Sequence, residues 1–93
     1  MASKFLIHAK EDYVGVATYD IKKDETVEGV YLDNNQKVTL KATEDISLGH
    51  KIALRDIKKG DKIIEYSEPV GQASQDIKKG EHVHVHNIKT MRW

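Results

Sequence analysis

The fold is decided by Asp56-Ile57-Lys58-Lys59-Gly60-Asp61-Lys62-Ile63. The stretch returns almost unchanged as Asp76-Ile77-Lys78-Lys79-Gly80-Glu81-His82-Val83. It returns in looser form as Asp20-Ile21-Lys22-Lys23-Asp24-Glu25-Thr26-Val27 and as Asp45-Ile46-Ser47-Leu48-Gly49-His50-Lys51-Ile52. The shared pattern is Asp-Ile-x-x-Gly-x-x-Ile/Val. The copies start at residues 20, 45, 56 and 76. A solenoid would keep one period, so the unequal spacing predicts one local corner reused at several places in a compact fold. Asp is expected to cap a single helical turn by accepting its free N–H groups. Gly four residues on is expected to supply the left-handed exit. Asp24 stands in for that glycine in the first copy and tolerates positive φ better than most residues. The apolar anchors Ile21, Val27, Ile46, Ile52, Ile57, Ile63, Ile77 and Val83 are expected to form much of the core. The Lys-Lys pairs read as solvated corners rather than as phosphate or nucleic-acid contacts.

Between the corners the chain reads as short strands. Residues 5–8, 13–19, 26–32, 36–43, 50–54, 62–66, 70–74 and 81–88 are rich in β-branched and aromatic residues or alternate apolar with polar. Asp33-Asn34-Asn35 is a hairpin signal, and the sole proline, Pro69, lies between two strand candidates. No window of helical length carries a 3.6-residue period. The expected class is mostly β with short helical turns at the Asp-Ile-x-x-Gly corners, in one domain spanning residues 1–93.

Composition narrows the function. Fifteen Lys plus Arg balance fifteen Asp plus Glu, which excludes a nucleic-acid binder driven by counterion release. There is no cysteine, hence no disulfide framework, thiolate metal site or Cys nucleophile. No apolar run reaches the roughly 20 residues of a membrane span, and no signal-peptide h-region is evident, so a cytoplasmic chain without membrane contact is expected. P-loop, dinucleotide, zincin and nucleophile-elbow motifs are absent. A chain of 93 residues leaves little room for a deep closed pocket, which favours a subunit, a binding module or an accessory domain over a complete enzyme.

The remaining chemistry is histidine. Three of the five histidines lie in Glu81-His82-Val83-His84-Val85-His86-Asn87. On one straight strand Val83 and Val85 would face inward, and His82, His84 and His86 would share the outer face. That face can be read as a polar strand surface, as a catalytic or substrate contact, or as part of a metal site. For metal binding, the outer two histidines stand about 13 Å apart at the backbone, so a further ligand from elsewhere in the chain or from a partner would be needed. His50 follows Gly49 at the exit of a corner, and Lys51 beside it offers a cation to an anionic substrate. His8 reads as structural, and Glu65 and Glu68 as surface carboxylates.

Gly49-His50-Lys51-Ile52-Ala53-Leu54-Arg55-Asp56-Ile57, then Ile64-Glu65-Tyr66-Ser67-Glu68-Pro69-Val70-Gly71, then Gly80-Glu81-His82-Val83-His84-Val85-His86-Asn87 together resemble the small domain of the altronate and galactarate dehydratase family. This is an SAF domain of β-clip fold, and the group also contains the sulfolactate sulfo-lyase alpha subunits. The resemblance runs from Phe5 to Asn87, with Ser67 where many relatives have glycine. The tail from Asn87 to Trp93 is similar to the ending of the sulfolactate enzymes. The resemblance implies elimination of water or sulfite from a hydroxylated carboxylic acid of the altronate or (2R)-sulfolactate type. A large catalytic subunit would be the partner, and a divalent metal, Fe2+, held mainly by that subunit, would stabilise the enediolate. It implies catalytic roles for His84 and His86 and substrate contacts for His50, Lys51 and Asn87, with this chain inactive alone. Hydroxide needs a proton donor to leave; sulfite leaves more readily. The competing expectation is a non-catalytic module that binds sugar acids or stabilises an assembly.

Overall fold

The computed structural model describes residues 3–90. The strands among them are β1 Ser3–Ile7, β2 Val14–Ala17, β3 Thr26–Tyr31, β4 Lys37–Lys41, β5 Lys51–Ala53, β6 Lys62–Glu65, β7 Glu68–Ala73, β8 His82–Val83 and β9 Ile88–Thr90. A six-stranded sheet runs in the order β4-β3-β1-β2-β5-β8, and a three-stranded sheet in the order β6-β7-β9. β1 and β3 pair in parallel; the other pairs are antiparallel. The mostly-β expectation holds. The turn over Asp33-Asn34-Asn35 joins β3 to β4, with Asn35 at φ 60°.

The corners differ from the helical turns expected of them. Each is a β-turn closed by a main-chain bond across four residues. Glu25 N–H donates to Lys22 O at 3.0 Å, His50 to Ser47 at 2.9 Å, Asp61 to Lys58 at 2.9 Å and Glu81 to Lys78 at 3.0 Å. The third residues, Asp24, Gly49, Gly60 and Gly80, have φ of 71°, 86°, 92° and 90°. A left-handed third residue is the requirement of a type II turn, and it takes the chain out of helical space after one bond. Asp24 keeps the glycine's conformation, as its short polar side chain allows.

The corners also work in pairs, which the repeat alone did not reveal. Ile21 and Ile46 exchange two main-chain hydrogen bonds of 2.8 Å, and Ile57 and Ile77 two of 2.7 Å. Each opening Asp caps its partner's turn rather than its own. Asp20 Oδ1 accepts from Leu48 N–H at 2.8 Å and Asp45 Oδ1 from Lys23 N–H at 2.8 Å. Asp56 Oδ1 accepts from Lys79 N–H at 2.9 Å and Asp76 Oδ1 from Lys59 N–H at 2.8 Å. The corner's own first N–H is served by the acid at the sixth position. Glu25, Asp61 and Glu81 accept from Lys22, Lys58 and Lys78.

All eight predicted anchors are buried, none more than 2% exposed. They divide between two clusters. Ile21, Val27, Ile46 and Ile52 pack with Phe5, Ile7, Ala17, Leu40 and Ala42. Ile57, Ile63, Ile77 and Val83 pack with Val14, Ala53 and Ala73. Burying each such side chain stabilises the fold by about 1.5–3 kcal/mol, so each corner pair is held down by its own core. Phe5 fills the first core beside Gly29, where a Cβ would clash with its ring.

The strand expected over 81–88 is the main correction. β8 holds only His82 and Val83, residues 84–87 form a turn, and the chain resumes as β9 in the other sheet. Val85, expected inside, is 78% exposed. The cause is Asn87, which is fully buried. Its Oδ1 accepts from His84 N–H at 2.9 Å and its Nδ2 donates to His82 O at 2.8 Å. A side-chain amide satisfying both main-chain groups replaces the ladder that a straight strand would need. The end of the tail, residues 91–93, lies outside the described residues.

Candidate functional site

The turn after β8 and the corner before β5 meet because β5 and β8 are neighbours, with Lys51 opposite Val83 and Ile52 opposite His82. That register brings together three imidazoles that the sequence separates. His50 Nδ1 lies 2.8 Å from His82 Nε2. The rings of His50 and His84 stack at a centroid distance of 4.1 Å, those of His50 and His82 at 5.0 Å and those of His82 and His84 at 5.6 Å. His86 tilts beside His82 at 5.1 Å. Four of the five histidines therefore form one patch, with His84 and His86 exposed and His50 and His82 half-buried.

Each member is positioned from below. His50 occupies the sixth place of its corner, where the other three copies carry Glu25, Asp61 and Glu81. The main-chain bond of the corner survives, but the side chain no longer serves the corner and reaches to His82 instead. His82 N–H donates to Glu44 Oε1 at 2.9 Å. Asn87 clamps the main chain on both sides of Val83, which fixes the Cα atoms of His82 and His84.

Two of the four rings, His82 and His84, are held toward the neutral form. His82 is held below the ordinary imidazole value, first by desolvation and then by the like charge that His50, His86 and His84 would carry; Glu44 opposes this. His84 is lowered too, first by desolvation, then by His50, Lys51 and His86. A 2.8 Å contact between two ring nitrogens needs one of them to be an unprotonated acceptor. That acceptor nitrogen carries a lone pair held within the cluster.

Lys51 stands at the edge of the patch, where its Nζ lies 3.6 Å from Glu65 Oε1. Glu65 is only 5% exposed, so this carboxylate is not the surface group expected from sequence. Asn87 is in the site's foundation: a fully buried side chain with both amide ends on main chain does not fit the direct substrate contact expected of it. His8 lies apart from the patch, stacked on Tyr66 at 3.7 Å. That tyrosine tops the turn between β6 and β7, where Tyr66 and Ser67 both have positive φ. The buried Asp12 accepts both of their N–H groups at 3.0 Å. Sequence reasoning set His84 and His86 above His82 and overlooked Glu44. The signal it could have used is the break in the repeat at His50.

The mostly β fold is consistent with the family that the chain matches. The family model for the altronate/galactarate dehydratase SAF domain matches residues 3–91. The chain belongs to that family. It is 36% identical to the (2R)-sulfolactate sulfo-lyase subunit alpha of Chromohalobacter salexigens, covering all of both chains. It is 45% identical to the subunit of that name from Paracoccus pantotrophus over 69% of this chain and 96% of that one. It is 47% identical to the altronate dehydratase of Bacillus subtilis over 97% of this SAF chain, which is only 17% of that enzyme's length. No helix among the described residues is long and apolar enough to cross a membrane.

Proposed function

We propose that this SAF chain is the small subunit of a hydroxy-acid lyase. It completes the active site of a larger catalytic subunit that eliminates water from a sugar acid of the altronate type, or sulfite from (2R)-sulfolactate. The observation that carries this reading is end-to-end similarity to a protein named as a lyase alpha subunit, whereas the altronate dehydratases hold the same domain as about a sixth of a long chain.

The reaction removes a proton from the carbon next to a carboxylate and breaks a carbon–oxygen or carbon–sulfur bond on the adjacent carbon. The large subunit supplies the base and most of the pocket. This chain supplies an exposed imidazole face and a cation. His86 is the proton donor to a departing hydroxide, being an exposed ring that tilts beside His82. His84 lies within the same face, stacked on His50. Lys51 steers the substrate carboxylate, its charge held in place by Glu65. A divalent ion of the Fe2+ type, when bound at this joint, supplies positive charge to the developing enolate oxygen. Among this chain's residues the imidazoles are the donors that suit it.

The test is turnover of the reconstituted pair with each substrate. For a sugar acid, His86→Ala is expected to cost about 10²–10⁴-fold, the range of a general acid. For sulfolactate the cost is smaller, because sulfite leaves without a proton. Unchanged turnover of both substrates in His84→Ala and in His86→Ala removes the histidines from the chemistry and leaves the assembly-module reading in its place.

A further inference from the structure

His50, His82 and His84 each present one ring nitrogen, and the three nitrogens lie within 4.8 Å of one another. We infer that these three imidazoles form a binding site for one divalent first-row transition-metal ion on this chain itself, loaded before any partner is present. This site is additional to any ion that the family resemblance places mainly on the large subunit. Binding stands on these residues alone, while its use in elimination rests on the lyase-subunit reading.

The physical case has four parts. First, the spacing is right within the freedom of surface side chains. Metal–imidazole bonds of about 2.1 Å in a tetrahedral site set nitrogens about 3.4 Å apart. The His50–His82 contact of 2.8 Å must open slightly to admit an ion between the rings. Second, the Cα positions are fixed before the ion arrives. His50 is held by the main-chain bond of its corner, and the Asn87 clamp holds His82 and His84. Little ordering is left for the ion to impose. Third, the donor set is wholly imidazole. That selects ions such as Zn2+, Co2+, Ni2+ or Fe2+ over Mg2+ and Ca2+, which want oxygen. Fourth, three protein nitrogens leave open positions, the arrangement of sites that bind a substrate oxygen. His86 is outside the triad and stays available as a proton carrier.

The placement of His50 carries independent weight. At the three other corners the sixth residue is an acid spent on its own turn. At this corner, the one beside β8, that acid is exchanged for a ring that points to two other rings.

The full chain, produced without a histidine tag and stripped with a chelator, is titrated with Co2+ and with Zn2+. One equivalent is expected to bind, with visible Co2+ absorption of nitrogen coordination, while Mg2+ gives none. His50→Ala and His82→Ala are each expected to weaken Zn2+ by more than about 100-fold, since loss of even an outer partner of a ligand costs about 10–100-fold. His8→Ala and His86→Ala are expected to cost less than the roughly 10-fold that marks loss of a group acting on a ligand. Circular dichroism checks that the variants remain folded, and His84→Gln gives a milder second removal. No stoichiometric binding overturns the inference, as does a loss that is equal in His8→Ala. The two readings separate cleanly. Metal binding with unaffected lyase turnover in His86→Ala breaks only the proposed function; loss of turnover in His86→Ala with no metal on this chain breaks only the metal site.

Discussion

The two corner pairs are built to one plan and used differently. The pair at residues 56 and 76 follows it throughout. Each Asp caps the other turn, each sixth residue is an acid closing its own, and the Lys-Lys tips are exposed. The pair at residues 20 and 45 shares the isoleucine bridge and the crossed Asp caps. Its second corner, however, reads Ser47-Leu48-Gly49-His50, with Leu48 61% exposed where the other copies carry lysine. The difference teaches that the main-chain corner tolerates loss of its local side-chain cap, because the crossed cap and the buried isoleucine remain. That tolerance is what frees His50.

The hardest blow to the plan is expected in the cores. Ile46→Ala and Ile77→Ala should each cost about 2–5 kcal/mol. Because the two residues lie in separate clusters, the double variant should be additive within about 0.5 kcal/mol. Urea unfolding measures this, and strong coupling would show that the pairs are not independent units. Next come the glycines. Gly60→Ala has open space but positive φ, and should cost about 1–2 kcal/mol. Gly80→Ala carries the same penalty plus a clash with the carbonyl oxygen of Lys41, and should cost more. Equal costs would mean that the packing of the 76 corner against β4 yields freely.

A finer probe restores the plan at its broken position. His50→Glu gives Ser47 N–H the carboxylate that the other corners have, and should raise stability by about 0.5–1 kcal/mol, while activity and metal affinity fall. A destabilised variant would mean that the imidazole cluster, rather than the corner, is what holds this segment. The smallest effect concerns pH. Glu25 is held below its ordinary value of 4.5, first by Lys22 N–H and then by the Lys4 ammonium. Its folded form binds the proton less readily than the unfolded chain. The stability it adds is therefore full above about pH 4.5 and fades as pH falls through the lowered value. Thermal melts in that acid range should show a shallower slope in Glu25→Gln than in the parent chain.

Much of this was legible in the residues. The repeat marked the eight anchors, because an isoleucine that follows Asp and precedes a tight turn has only the interior to go to. It also marked the left-handed positions, Asp24 included. The turn type is not legible: a capping Asp four residues before Gly fits a helical turn and a type II turn equally well, and each Asp caps the turn of another copy. The strand expected over 81–88 is cut short for a related reason. Alternation of His with Val fits a strand, but Asn87 spends its amide on the main chain and ends the ladder after Val83.

The site divides along the same line. His84 and His86 were visible as neighbours in sequence, and His50 and Lys51 as a suggestive pair. That His50 touches His82, that Glu65 is buried against Lys51, and that Asn87 lies beneath the rings depend on β5 lying beside β8. By itself the sequence determined the class, the corners and the core, because burial and turn chemistry act over a few residues. The pairing of corner with corner, and the meeting of rings 32 residues apart, were decided only by tertiary structure. A hydrogen bond across such a distance in the chain leaves no local pattern, and exists only once both cores have closed.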